Sequence, residues 1–281
     1  MDWSDVILLA AIAAILVLYI RLMRKNRRLR QLADEANRLR HEAAEEQRRN
    51  RQLKQEMTSN IAHELKTPVS SIRGYLEILL GNKAVDDARR QQYLERSYRQ
   101  TLRLSDLIQD VSLINKLEES ADLFPHEMTD VRQVAQDAFD ELTDKAAEQG
   151  ITMTNNLPQP MPLSGNRELL YAIFRNLAEN AINYAGEGSS VIVETYRPTS
   201  GFYYIHFYDT GRGVPDTDLA RLFDRFVRID EGRSRQNGGT GLGLSIVKHA
   251  VLFHNGEIYA KNRTDGGLEF FLSLCIKNDN K

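Results

Sequence analysis

The chain of 281 residues predicts a multidomain protein. Its parts are an N-terminal transmembrane helix and coiled coil, a helical hairpin that dimerises into a four-helix bundle, and a C-terminal two-layer α+β sandwich. Three observations predict this class: an apolar run opens the chain, a charged stretch with helical spacing follows, and strands with glycine-rich loops take over after about residue 120. The corresponding segments are 1–23, 24–56, 57–120 and 121–281.

Composition is ordinary for a folded protein, at 42% hydrophobic and 27% charged residues. The net charge of −2 comes from 37 basic and 39 acidic side chains. Such a balance lacks the basic field that direct nucleic-acid binding needs. The single cysteine, Cys275, has no companion for a disulfide and reads as a small hydrophobe in the apolar run LEFFLSLCI.

The run VILLAAIAAILVLYI, Val6–Ile20, carries no charge and with its flanks approaches the roughly 20 residues that span a bilayer. A secretory leader would begin with basic residues, whereas Asp2 and Asp5 precede this run and Arg21, Arg24, Lys25, Arg27, Arg28 and Arg30 follow it. The charge bias predicts an uncleaved, single-pass anchor in the inner or plasma membrane, with the N-terminus outside and the rest cytoplasmic. So short an outer segment leaves no room for an extracellular sensor domain.

From Leu29, apolar or small positions fall at Leu32, Ala36, Leu39 and Ala43, then at Leu53 and Met57 after polar Glu46 and Asn50. Alternating steps of three and four predict a parallel coiled coil, against a solvated single helix. Ile61, Leu65 and Val69 are then four apart before Ile72, Leu76 and Leu79 resume the alternation. That drift resembles a stutter. Gly81-Asn82 ends the helix, and a second amphipathic run from about Asp87 makes an antiparallel hairpin whose exposed stripes a second copy would bury.

Within the first hairpin helix lies HELKTP, His63–Pro68. His63 sits about 200° from both Ile61 and Leu65 and so faces outward, with Thr67 one turn along and Glu64 on the adjoining flank. Pro68 removes a backbone hydrogen bond at this turn and loosens it. Taken alone, an outward helical histidine is most often a solvated residue, and HELKTP by itself stays undecided.

The C-terminal segment predicts a helix over about Val131–Gln149, a strand ITMTNNL, and a helix from near Asn166. Strands SVIVETYR and FYYIHFYD, a glycine-rich loop, the helix SIVKHAVLF and strands GEIYAKN and LEFFLSLCI follow. Two glycine segments stand out, Asp209-Thr-Gly211-Arg-Gly213 and Gly238-Gly239-Thr240-Gly241-Leu242-Gly243, although either alone is weak because glycine-rich turns often only connect elements. Glycines ahead of a helix let backbone N–H groups approach an anion where the helix dipole favours it. Neither segment has the Lys-Ser/Thr of a P-loop, nor a surrounding βαβ unit. Asn176 and Asn180 share a helix face, so their amide oxygens can converge on a hard cation together with phosphate oxygens and water. Asp209, ending an apolar strand, offers an acceptor for a purine amine.

In the order SNIAHELKTPVSSIRGYLEILL, NLAENAINY, DTGRGVP, LFDRFVRID and GGTGLGLSIVKHAVLFHNGEI, the chain from about Met57 to Ile276 resembles the membrane sensor histidine kinases. These join a dimerisation and phosphoacceptor hairpin to an ATPase domain of the gyrase, heat-shock chaperone and MutL type. The resemblance implies that His63 accepts phosphate from ATP, Glu64 is its general base, and Asn180 with Asn176 handles Mg²⁺ and phosphate. It implies that Tyr184 packs on adenine, that Asp209 binds the adenine amine, and that Gly211, Gly213, Gly239, Gly241 and Gly243, with Thr240 and Leu242 between them, shape the pocket and its lid. Arg225 or Arg228 would reach the γ-phosphate. Asn183 stands where the family commonly has Lys or Arg, which implies either reduced ATP affinity or phosphotransfer, or compensation by Lys248 or an arginine. Asn255 replaces a common glycine, at small cost because asparagine tolerates left-handed backbone.

The implied reaction is autophosphorylation of His63 in a homodimer, then transfer to an aspartate of a response regulator on a separate chain. Glu64 and Thr67 form the E-x-x-T pattern associated with dephosphorylating that regulator. Two other readings keep the nucleotide loops: an ATPase of the chaperone or mismatch-repair class, and a scaffold or phosphatase-dominant sensor.

Overall fold

The structure, a computed structural model, describes residues 3–81, 85–119, 123–197, 201–229 and 239–277, with the side chains of 1–15, 17, 26, 28–34, 36, 50 and 53 outside the description. It divides into two compact units, Met1–Ile61 and Ala62–Lys281.

Helix α1, Trp3–Gly81, makes up the described part of the first unit and continues through Pro68. The side chains of 6–15 and of Val17 in the apolar run, and those of Leu29, Leu32, Ala36 and Leu53, lie outside the described residues, while Leu16, Leu18, Tyr19 and Ile20 are exposed. Among the described residues no helix is long and apolar enough to cross a membrane.

In the second unit, α2, Asp87–Glu119, pairs with the end of α1, and Tyr75 stacks on Tyr93 with ring centroids 5.7 Å apart. The remainder is a sandwich: β1, Glu127–Asp130; α3, Val131–Ala147; β2, Thr152–Asn156; β3, Pro162–Gly165; α4, Arg167–Tyr184; β4, Ser190–Arg197; β5, Phe202–Asp209; α5, Asp216–Leu219; α6, Gly243–Phe253; β6, Ile258–Asn262; and β7, Leu268–Cys275.

The main sheet has the order β2-β4-β5-β7-β6, with β2 parallel to β4 and every other pair antiparallel. Sequence periodicity does not reveal β1 and β3, which pair antiparallel as short strands below the length at which alternation is legible. Asp130, leaving β1, accepts from the N–H of Arg132 and caps α3, while Asn166 caps α4 by accepting from the N–H of Leu169.

One face of the sheet is covered by helices whose apolar residues recur at three and four. On α3 these are Val131, Val134, Ala135, Ala138, Phe139 and Leu142, and on α4 Leu169, Leu170, Ile173, Phe174, Leu177 and Ala181. They meet the inward residues of the strands, as where Phe139 sets its ring edge-on to Phe207. Period two therefore gives β5 an inner row of Ile205, Phe207 and Asp209. The carboxylate of Asp209 enters the protein because it belongs to the core-facing row.

Candidate nucleotide site

Asp209 is 4% exposed and its Oδ1 accepts from the backbone N–H groups of Gly211 at 2.8 Å and Leu268 at 3.3 Å. Burial pushes its carboxyl above the usual range, and the two N–H bonds pull back toward the ionised form. Gly267 makes this packing possible. Its φ is +103° and a Cβ there would lie 2.0 Å from the carbonyl oxygen of Asp209. Sequence reasoning did not single out Gly267, although the pair Gly266-Gly267 ahead of an apolar strand marks a close backbone approach.

A cavity of about 670 Å³ opens beside Asp209. Of the residues named from sequence, Asn176, Asn180, Tyr184, Asp209, Gly213, Arg228, Gly239, Thr240, Gly241 and Gly243 all line it. Gly211 contributes its N–H to Asp209, and Leu242 is fully buried beneath the loop, its N–H donating to Thr240 Oγ1 at 3.2 Å. Among the described residues no side chain caps the first turn of α6, so its N–H groups suit an anion.

Arg225 is not among the lining residues, and its Nη2 lies 3.2 Å from His249 Nε2. Arg228 is the arginine the fold brings to the cavity. Lys248 is exposed and does not line the cavity either, so it cannot stand in for the charge that Asn183, which does line it, lacks. Arg99, Arg103, Lys145, Arg175 and Arg212 do line it. Three of these are already engaged: Lys145 with Glu179 at 2.7 Å, Arg175 with Glu141 at 3.2 Å and Glu179 at 3.4 Å, and Arg103 with Glu64 at 3.4 Å.

For a divalent cation the donors named from the sequence are two neutral amides, Asn176 and Asn180, in a cavity that Asp106, Asp110 and Glu179 also line. Asn176 donates from Nδ2 to the carbonyl of Ala172 at 2.8 Å, so Oδ1 is the atom of its amide that could ligate a cation. Among the described residues no three His, Cys, Asp or Glu side chains group into a metal cage. This set fits Mg²⁺ carried on phosphate oxygens and water, with one or two protein ligands.

The hairpin forms one wall. Helix α2 packs on α6 and contributes Arg99, Arg103, Asp106 and Asp110 to the cavity lining. Thr240 donates to Asp110 Oδ2 at 2.8 Å, and burial pushes the Asp110 carboxyl up to about 6 against the effect of that bond. Glu64 Oε2 accepts from Arg228 at 2.8 Å and from Arg103 at 3.4 Å. His63 and Thr67 are exposed on the same helix, and Thr67 Oγ1 donates to the carbonyl of His63 at 3.3 Å. The sequence motifs give no hint of this hairpin wall, because it joins residues 39 and 164 positions apart.

Residues 53–120 match the His Kinase A (phospho-acceptor) domain, and residues 165–278 match the histidine kinase-, DNA gyrase B-, and HSP90-like ATPase. The chain is 33% identical over 221 residues to the sensor-like histidine kinase SenX3 of Mycolicibacterium smegmatis, which covers 79% of this chain and 57% of that protein. It is 30% identical over 237 residues to the signal transduction histidine-protein kinase BaeS of Escherichia coli, covering 82% of this chain and 49% of that one. The chain thus spans about half the length of these relatives. The fold matches the histidine kinase AdeS of Acinetobacter baumannii at a TM-score of 0.60 and 21% identity, over 77% of this chain and 98% of that one. It also matches the histidine kinase ThkA, solved with the response regulator protein TrrA, at 0.64 and 19%, over 80% and 63%. With both domains present in this order, the chain belongs to the sensor histidine kinases.

Proposed function

We propose that the chain is a protein-histidine kinase that moves the γ-phosphoryl group of Mg·ATP to a ring nitrogen of His63 and then to an aspartate of a separate response regulator. The observation that carries this reading is the cavity, where an adenine acceptor, an uncapped helix N-terminus, paired amides and cations converge beside the helix bearing His63. Asp209 would accept the adenine amine and Tyr184 would pack on its ring. The N–H groups opening α6 would take phosphate oxygens, and Arg228 would face the γ-phosphate. When bound, Mg²⁺ would neutralise phosphate charge, with Asn180 and Asn176 as its protein donors.

In the transfer, the imidazole nitrogen attacks phosphorus in line, the bond to the bridging oxygen breaks, and ADP leaves with that electron pair. Glu64 takes the proton from the other ring nitrogen, so the ring stays neutral as the phosphoramidate forms. The aspartate carboxylate of the regulator then displaces the histidine. ThkA, solved with TrrA, supports a regulator as partner, and the structure of ShkA with AMPPNP supports an adenine nucleotide as substrate. The apolar run Val6–Ile20 would anchor the chain in the inner or plasma membrane, and the hairpin would pair with a second copy.

The test is incubation with γ-labelled ATP and Mg²⁺. We expect acid-labile, base-stable label that is lost in His63→Gln, and label persisting in that variant would refute the assignment. Thr67 would position the water that hydrolyses the regulator's acyl phosphate. Thr67→Ala should slow loss of regulator phosphate with autophosphorylation intact, and an unchanged phosphatase rate would remove that role.

A further inference from the structure

Two arginines from distant parts of the chain meet on one carboxylate oxygen. Arg103 on α2 and Arg228 beyond α5 place Nη2 at 3.4 Å and 2.8 Å from Glu64 Oε2. The side chains of Arg103, Arg228 and Glu64 are 13%, 12% and 20% exposed, so solvent screens the cluster poorly. Two cations share one anion, which leaves a positive charge in excess. Burial and then the neighbouring Arg228 push the Arg103 guanidinium below its usual value, but a guanidinium does not shed its proton to relieve the crowding. Both arginines line the cavity, and the bond from Thr240 to Asp110 holds the glycine loop against the same helix one or two turns further along.

We propose that Arg103 is a phosphate-binding residue of the nucleotide site, supplied by the hairpin, and that Glu64 clamps Arg103 and Arg228 together until the terminal phosphates of ATP replace it. The proposal rests on reading the cavity as an ATP site. Phosphate oxygens suit the exchange because each guanidinium can bond them as a fork, whereas here both reach for a single carboxylate oxygen. No covalent bond changes in this step.

Its consequence is a coupling between substrate and base. Glu64 is adjacent to His63, and it becomes available to the imidazole only when its two arginines leave. An adenine nucleotide without β- and γ-phosphates would fill the adenine end and leave Glu64 clamped. The excess charge also answers for neutral Asn183, since the cation arrives from a different element of the fold.

The experiment is calorimetric titration of the full chain, in detergent or nanodiscs, with Mg·AMPPNP and with AMP. Arg103→Gln should weaken AMPPNP roughly tenfold or more, the loss of one charge-assisted phosphate contact, and leave AMP within about twofold. Glu64→Gln should tighten AMPPNP, because the competing carboxylate is gone, and leave AMP unchanged. An Arg103→Gln chain that keeps the wild-type preference for AMPPNP over AMP overturns the proposal. If that variant binds neither nucleotide through misfolding, Glu64→Gln decides: no tightening overturns the proposal. A wild-type chain that binds neither nucleotide removes the ATP site itself, and the proposal with it.

Discussion

His254 is fully buried, and both ring nitrogens are engaged: Nε2 accepts from the N–H of Asn166 at 3.1 Å, and Nδ1 faces the carbonyl of Ala250 at 2.7 Å. A carbonyl cannot donate and an amide N–H cannot accept, so the ring is the neutral Nδ1–H tautomer. Burial holds its pKa down to about 4. Because the folded value lies below the ordinary one near 6.5, this histidine's contribution is complete above that value and is lost as pH falls toward 4. The chain should therefore lose roughly 2 to 4 kcal/mol of stability over that window from this group, read as a falling melting temperature. His254→Gln should flatten that part of the profile. Gly267 makes a second prediction at this scale. Gly267→Ala combines a strained φ of +103° with a clash against Asp209, and should cost more than about 2 kcal/mol and abolish AMP binding. Retained AMP affinity in a folded variant would separate Asp209 from the adenine end.

Among the elements, α1 tolerates Pro68 in its interior. The ring supplies no N–H to the carbonyl of Glu64, while Thr67 and Ser71 turn their hydroxyls back onto the carbonyls of His63 and Thr67, a pattern that bends helices. If this turn is a hinge beside the reactive histidine, Pro68→Ala should raise the melting temperature and shift the ratio of autokinase to phosphatase rates. A stabilised variant with an unchanged ratio would reject the hinge. The seat of the glycine loop on α2 is also pH-sensitive. Burial, amid Arg175, Asp106 and Glu179, raises the Asp110 carboxyl to about 6 although the Thr240 bond favours its ionised form, so this group's contribution to stability is complete below the ordinary aspartate range and is lost as pH rises through 6. Asp110→Asn should remove that dependence, and its melting temperature should gain on the wild type between pH 5 and pH 7.5.

At the scale of the molecule, the hairpin presents apolar side chains that one chain does not cover: Val69, Leu76, Ile78, Leu80, Leu94, Leu102 and Ile108 are each between 41% and 86% exposed. Completing the burial of one such half-exposed side chain is worth roughly 1 to 1.5 kcal/mol, enough in sum to hold two hairpins as a bundle. A fragment from about residue 57 should sediment as a dimer, and Leu76→Glu with Leu94→Glu should yield monomers. A monomeric parent fragment would remove the dimer.

How much was legible in the sequence depended on the range of the interaction. Local periodicity placed α2, α3, α4 and the five strands of the main sheet, because the spacing of apolar residues directly selects helix or strand. The glycine segments and the paired amides named eight residues that line the cavity, because backbone approach to phosphate restricts residue type over a few positions, and the family resemblance added Tyr184 and Arg228. Only the tertiary structure decided that Arg228 and not Arg225 faces the cavity, that Lys248 points away, and that Gly267 carries Asp209. It also decided that Glu64 is held by Arg103 and Arg228. Such pairings join residues far apart in the chain, and a side chain's charge says nothing of which distant partner the packed helices and sheet will bring within 3 Å or so.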